Sequence, residues 1–146
     1  LQIIGDTLPE YEKYLNELKL DIKKRGLTDR IKLFGFREDI ISILNRSNFF
    51  IHLPLSPDPL PTVIFEAINC KIPVITNNLG GAHEILNEGK NGLIIENDLI
   101  KASVKKIFLY MYNKKEQKKN VEKAFNYVCY NFSQEQFKRN ILNSIG

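Results

Sequence analysis

Apolar residues recur along the chain in two rhythms that alternate. Short apolar runs predict strands at Leu1–Ile4, Ile31–Phe34, Phe49–Leu53, Pro73–Thr76 and Gly92–Ile95. Between and after them, apolar positions at helical spacing predict helices at Pro9–Arg25, Asp39–Asn45, Thr62–Asn69, Ala82–Asn87, Leu99–Tyr112, Glu116–Asn131 and Gln134–Asn143. Strand and helix in alternation predict an α/β fold, a Rossmann-like parallel sheet with helices on both faces. No repeat, low-complexity tract or long linker interrupts the pattern.

Composition narrows this only a little. With 146 residues, 43% of them hydrophobic, the chain can bury one core and is too short for two ordinary domains. No apolar run reaches the roughly 20 residues a membrane-spanning helix needs, and the opening LQIIGD lacks the basic region and cleavage pattern of a signal peptide. Cys70 and Cys129 are too few and too far apart for a metal site or a disulfide framework. They read as buried thiols in a reducing, cytoplasmic setting. The net charge of +4 gathers as lysines between Lys101 and Lys123, with Val104, Ile107, Phe108 and Met111 interleaved as an expected core stripe beneath a solvated face. A second reading of those lysines is attraction to anionic headgroups at a membrane surface. Nucleic acid is not expected, because no binding motif or aromatic platform accompanies the charge.

The chemistry concentrates between Ser56 and Gly81, SPDPLPTVIFEAINCKIPVITNNLGG. Prolines 57, 59 and 61 confine the backbone ahead of a helix that opens at Thr62. First-turn amides have no partner within a helix, and the positive end of the helix dipole adds to them, so this start is suited to an anion such as phosphate. Pro59 and Pro61 have no N–H, which leaves the amides of Leu60, Thr62 and Val63 as donors. Glu66, one turn further on, shares a helix face with Thr62 and could accept hydrogen bonds from ribose hydroxyls. Asp58 lies in the loop before it.

This arrangement resembles the donor-binding, C-terminal half of the family 4 retaining glycosyltransferases of the GT-B fold. The residues that carry the resemblance are Asp58 and Glu66-Ala67, Pro73-Val74-Ile75 and Gly80-Gly81, with Ile3-Ile4-Gly5-Asp6, Leu27–Ile31 and Phe34-Gly35 upstream and Glu84–Leu86 and Gly89–Leu93 downstream. It covers nearly the whole chain. One departure is that the family usually has Glu where this chain has Asp58. The resemblance implies transfer of a sugar from a UDP- or GDP-linked donor to a sugar or lipid-linked hydroxyl acceptor with retention, without a metal or other cofactor, in surface polysaccharide or lipopolysaccharide synthesis. It implies catalytic roles for Asp58, facing the sugar ring, and for Glu66 on the ribose. Gly35 and Phe36 would approach the base, Leu60, Thr62 and Val63 the diphosphate, and Gly80 and Gly81 the sugar. Residues 1–146 are then expected to be a nucleotide-sugar-binding C-terminal domain, incomplete at its N-terminus and without the acceptor domain, at work in the cytoplasm or at the inner face of the membrane.

Other readings remain open on the residues alone. A nucleotide-sugar 2-epimerase shares the GT-B architecture. A receiver-like or other non-catalytic nucleotide-binding module also alternates strands and helices, although a receiver should carry an acidic pocket after its first strand. Arg37 beside Glu38 and Asp39, His52 in a strand, and His83 next to Gly80-Gly81 read as ordinary solvated or core residues, His83 being the more interesting. Ser56 lacks a His/Asp partnership and excludes a hydrolase triad.

Overall fold

All the expected apolar runs become strands in the computed structural model, which describes residues 1–145. They are β1 (Gln2–Ile3), β2 (Lys32–Leu33), β3 (Phe50–His52), β4 (Val74–Asn77) and β5 (Leu93–Ile95). The helices are α1 (Glu12–Lys24), α2 (Ile40–Asn45), α3 (Thr62–Asn69), α4 (Ala82–Ile85), α5 (Ile100–Tyr112), α6 (Lys114–Asn131) and α7 (Gln134–Ile145). Each pairing between strands is parallel, as strand–helix alternation requires. The fold is Rossmann-like α/β.

The chain forms two compact units, Leu1–Ile40 and Ile41–Gly146. In the first, β1 and β2 form a two-stranded sheet. The amide of Gly5 donates to the carbonyl of Gly35 at 2.9 Å, which closes the carboxyl ends of both strands together. Pro9–Tyr11 makes one tight turn and hands over to α1, which buries Ile22.

In the second unit β4 lies between β3 and β5. The central strand buries Val74, Ile75, Thr76 and Asn77 in succession, the pattern of a strand covered on both faces. Helix α3 buries Ile64, Ala67 and Ile68 and packs on β3, β4, α4 and α6. Phe65, beside that buried row, meets Phe132 edge-on at 5.1 Å between ring centres.

The α5–α6 corner is fastened by polar groups. Buried Ser103 donates to the carbonyl of Glu96 at 2.7 Å. Buried Tyr110 lies edge-on to Phe49, and the side-chain amide of Gln117 donates to the carbonyls of Tyr110 and Met111 at 2.6 and 2.9 Å. This anchoring overturns one expectation. Val104, Phe108 and Met111 do not form a core stripe but lie exposed, and only Ile107 of that set is half-buried. Ser103 and Tyr110 take the inward direction, which turns the apolar stripe out. A second correction concerns the cysteines: Cys70 is half-buried and Cys129 exposed. On α6 the inward row is Gln117, Asn120, Ala124 and Val128, and Cys129, about 100° round the helix from Val128, falls outside it.

Candidate functional site

Parallel strands deliver their following loops to one edge, so the segments after β3 and β4 emerge side by side at the carboxyl ends of the second unit's sheet. They are tied together in three ways. The buried Asn77, last residue of β4, donates its side-chain amide to the carbonyl of Pro54 at 2.7 Å. The Gly81 amide donates to the carbonyl of Asp58 at 2.8 Å. The loops also touch where the glycines stand. A Cβ on Gly80 would lie 2.1 Å from the carbonyl oxygen of Asp58, and one on Gly81 would lie 2.1 Å from that of Pro59. Gly80 also has φ +68°, which an L side chain adopts only with strain. The Gly-Gly turn is thus explained by contact with the Asp58 loop.

Asp58 organises that loop from within. One carboxylate oxygen accepts the Leu60 amide at 3.1 Å, a local side-chain-to-backbone bond typical of Asp in turns. This corrects the expectation that the Leu60 amide is free for phosphate. Pro61 occupies the cap position of α3 and offers no side-chain cap. The amide of Ile64 reaches back to the Pro61 carbonyl at 3.0 Å, whereas those of Thr62 and Val63 have no partner among the described residues. The helix start therefore presents two unpaired donors where the dipole is positive. Thr62 and Val63 are exposed at the surface, and Glu66, half-buried, follows one turn along.

Asp58, Leu60, Thr62, Val63, Glu66, Gly80 and Gly81 thus belong to one unit, on α3 and the loops at its start. Gly35 and Phe36 belong to the other unit, at the carboxyl end of β2. Gly35 has φ +65° with open space where a Cβ would be, and Phe36 is exposed rather than part of the core. Beside it, Arg37 makes a two-pronged pair with Asp39, both bonds 2.8 Å. Its hydrogen bond to Asp39 raises its pKa.

Two further residues join the site that their sequence context did not mark. His52 ends β3 and stacks on Phe50. Burial lowers its pKa while the charge of Asp58 opposes that shift, and its buried Nε2 has no hydrogen-bond partner among the described residues. Asn77, with a side-chain oxygen that is likewise unpartnered, closes an otherwise apolar run; an Asn at that place was the available signal. His83 places Nδ1 2.8 Å from the Gly80 carbonyl. A carbonyl only accepts, so Nδ1 carries the hydrogen and the ring clamps the glycine turn. Among the described residues, no group of three or more His, Cys, Asp or Glu side chains is placed to hold a metal ion.

Spore coat protein SA of Bacillus subtilis (strain 168) is 34% identical over 131 residues, covering 80% of this chain and 33% of that protein. The Escherichia coli UDP-Gal:alpha-D-GlcNAc-diphosphoundecaprenol alpha-1,3-galactosyltransferase is 34% identical over 99 residues, 66% of this chain and 24% of its own length. Among solved structures, Anabaena HepE in complex with UDP and glucose superposes with a TM-score of 0.86 at 26% identity, over 99% of this chain and 39% of that one. The chain spans a third or less of the length of these two curated relatives. Residues 1–127 match the family described as glycosyl transferases group 1, and with that match over most of its length the chain belongs to that family.

Proposed function

We propose that this chain is the donor-binding part of a retaining glycosyltransferase, which moves a sugar from a nucleotide-diphosphate donor to a hydroxyl acceptor held by another part of the protein. The observation that carries this is the start of α3, where the Thr62 and Val63 amides are unpaired and Glu66 follows one turn later. The diphosphate would lie at those amides and the ribose hydroxyls at Glu66. Asp58 would face the sugar and stabilise positive charge near the anomeric carbon, with Gly80 and Gly81 beside the sugar. The complex of HepE with UDP and glucose supports a UDP-type donor. The galactosyltransferase acting on a diphosphoundecaprenol-linked sugar supports a lipid-linked acceptor; a place in surface polysaccharide synthesis is part of the same proposal. No metal or other cofactor is needed in this scheme, since helix-terminal amides take up the charge of the leaving diphosphate.

Calorimetric titration with UDP and with GDP tests the reading. Glu66→Ala is expected to weaken binding about tenfold to a hundredfold, because hydrogen bonds to a charged group contribute about 1.5–3 kcal/mol. Nucleotide affinity that survives Glu66→Ala unchanged removes the ribose assignment. In a longer protein that also holds the acceptor, Asp58→Asn should lower turnover more than affinity, since Asn keeps an oxygen for the Leu60 amide and loses only the charge. The 146-residue chain by itself should transfer nothing, because transfer requires donor and acceptor held together.

A further inference from the structure

Helix α5 carries an apolar row that nothing among the described residues covers. Ile100, Val104, Phe108 and Tyr112 follow at four-residue intervals and are 73%, 60%, 59% and 72% exposed. Residues spaced this way lie along one face of a helix, here the whole length of α5. Phe108 and Tyr112 touch, with ring centres 4.8 Å apart. Lys101 and Lys105 border the row, each one position on from an apolar member and both exposed. The inward direction is held by Ser103 and Tyr110, so rotation of the helix cannot bury the row without breaking the Ser103–Glu96 bond and exposing the Tyr110 ring.

The charge carried by α5 and the helix after it bears on what this face would meet. Residues 100–123 contain eight lysines and two glutamates, a net +6 against +4 for the whole chain, so the remaining residues are net −2. All the excess positive charge thus lies on α5 and the first half of α6. A second copy is a poor occupant. A two-fold interface sets a patch against itself, and here it would bring lysines against lysines. An anionic lipid surface has the complementary chemistry: acyl chains for the apolar row, aromatic rings at the boundary, and phosphate for the lysines at the rim. No helix among the described residues is long and apolar enough to cross a membrane. A helix lying in the interface needs only one apolar face.

We propose that α5 is a membrane-surface contact that lays Ile100, Val104, Phe108 and Tyr112 into the headgroup boundary of an anionic bilayer, with Lys101 and Lys105 on the phosphates. The test is co-sedimentation of the 146-residue chain with phosphatidylcholine vesicles, with and without phosphatidylglycerol. Binding is expected with the anionic vesicles, falling at high salt. Phe108→Ser with Tyr112→Ser should lower it about tenfold, and Lys101→Glu with Lys105→Glu about tenfold or more. All four sites are exposed, so unchanged unfolding midpoints are expected to accompany those losses. Absence of binding to anionic vesicles overturns the proposal, as does undiminished binding by either folded double variant. Sedimentation velocity is run in parallel. Self-association of the chain that disappears in the Phe108/Tyr112 variant would assign the face to a second copy and overturn it too.

Discussion

Glycine serves two different physical needs in this chain, and substitution separates them. Gly35 and Gly80 both have φ near +65°, so Ala at either meets the cost of a left-handed conformation, about 1–2 kcal/mol. At Gly35 the Cβ enters open space, whereas at Gly80 it enters the backbone of Asp58. Chemical denaturation should therefore show Gly35→Ala losing about 1 kcal/mol and Gly80→Ala about 3 kcal/mol or more. Gly81→Ala has no such φ but the same collision with Pro59, and should fall between them. His52 gives a pH dependence with a definite sign. Its folded pKa lies below the unfolded value of about 6.5, so its neutral form favours the fold above that value. That contribution is lost as the pH falls through the folded pKa. Stability should drop on acidification below about pH 6.5, and His52→Phe, which keeps the stacking on Phe50, should flatten that part of the profile. A profile unaltered by the substitution would show that other groups set it.

At the scale of elements the sequence was informative because each strand is a short apolar run between breakers. Expected and observed strands agree within two residues at every end. Helix α3 opened at Thr62 as expected, since three prolines leave few other places for it to start. The inward side of α5 was not legible. Hydrophobic periodicity assigns Val104, Ile107, Phe108 and Met111 to the core, but Ser103 and Tyr110 offer hydrogen bonds as well as bulk, and the network through Gln117 and Asn120 decides the rotation. The loop chemistry was legible in type and not in detail: Asp58 could be singled out, but its bond to the Leu60 amide depends on a turn geometry that composition does not specify. The start of α6 gives a prediction at this scale. Asn113 accepts the Glu116 amide at 3.1 Å and donates to the Glu116 carboxylate at 2.8 Å, a reciprocal cap close to the capping-box pattern. Asn113→Ala should cost about 1 kcal/mol in thermal or chemical unfolding.

For the whole molecule, the two units differ in how much they bury. Among the described residues, and leaving proline aside, Ile22 is the one buried apolar side chain of the core in the first unit, against fourteen in the second. Its strands are two residues long, whereas the second unit has a central strand buried throughout. Local opening should be easier where less apolar area is sequestered. Hydrogen exchange is expected to run about a hundredfold or more faster for the paired amides of β1 and β2 than for those of β4. Equal protection would mean that both units open together. The division into these units was not visible in the sequence, where the alternation of strand and helix runs on across Ile40 without a break. The segments after β3 and β4 interlock. Because Gly81 holds the Asp58 carbonyl and both glycines lie against that backbone, residues 53–61 and 78–81 form a single transplantable part. An engineer who grafts a donor loop from a relative into this chain must carry both segments, since a new loop set against the old glycine turn inherits a surface shaped for a different backbone.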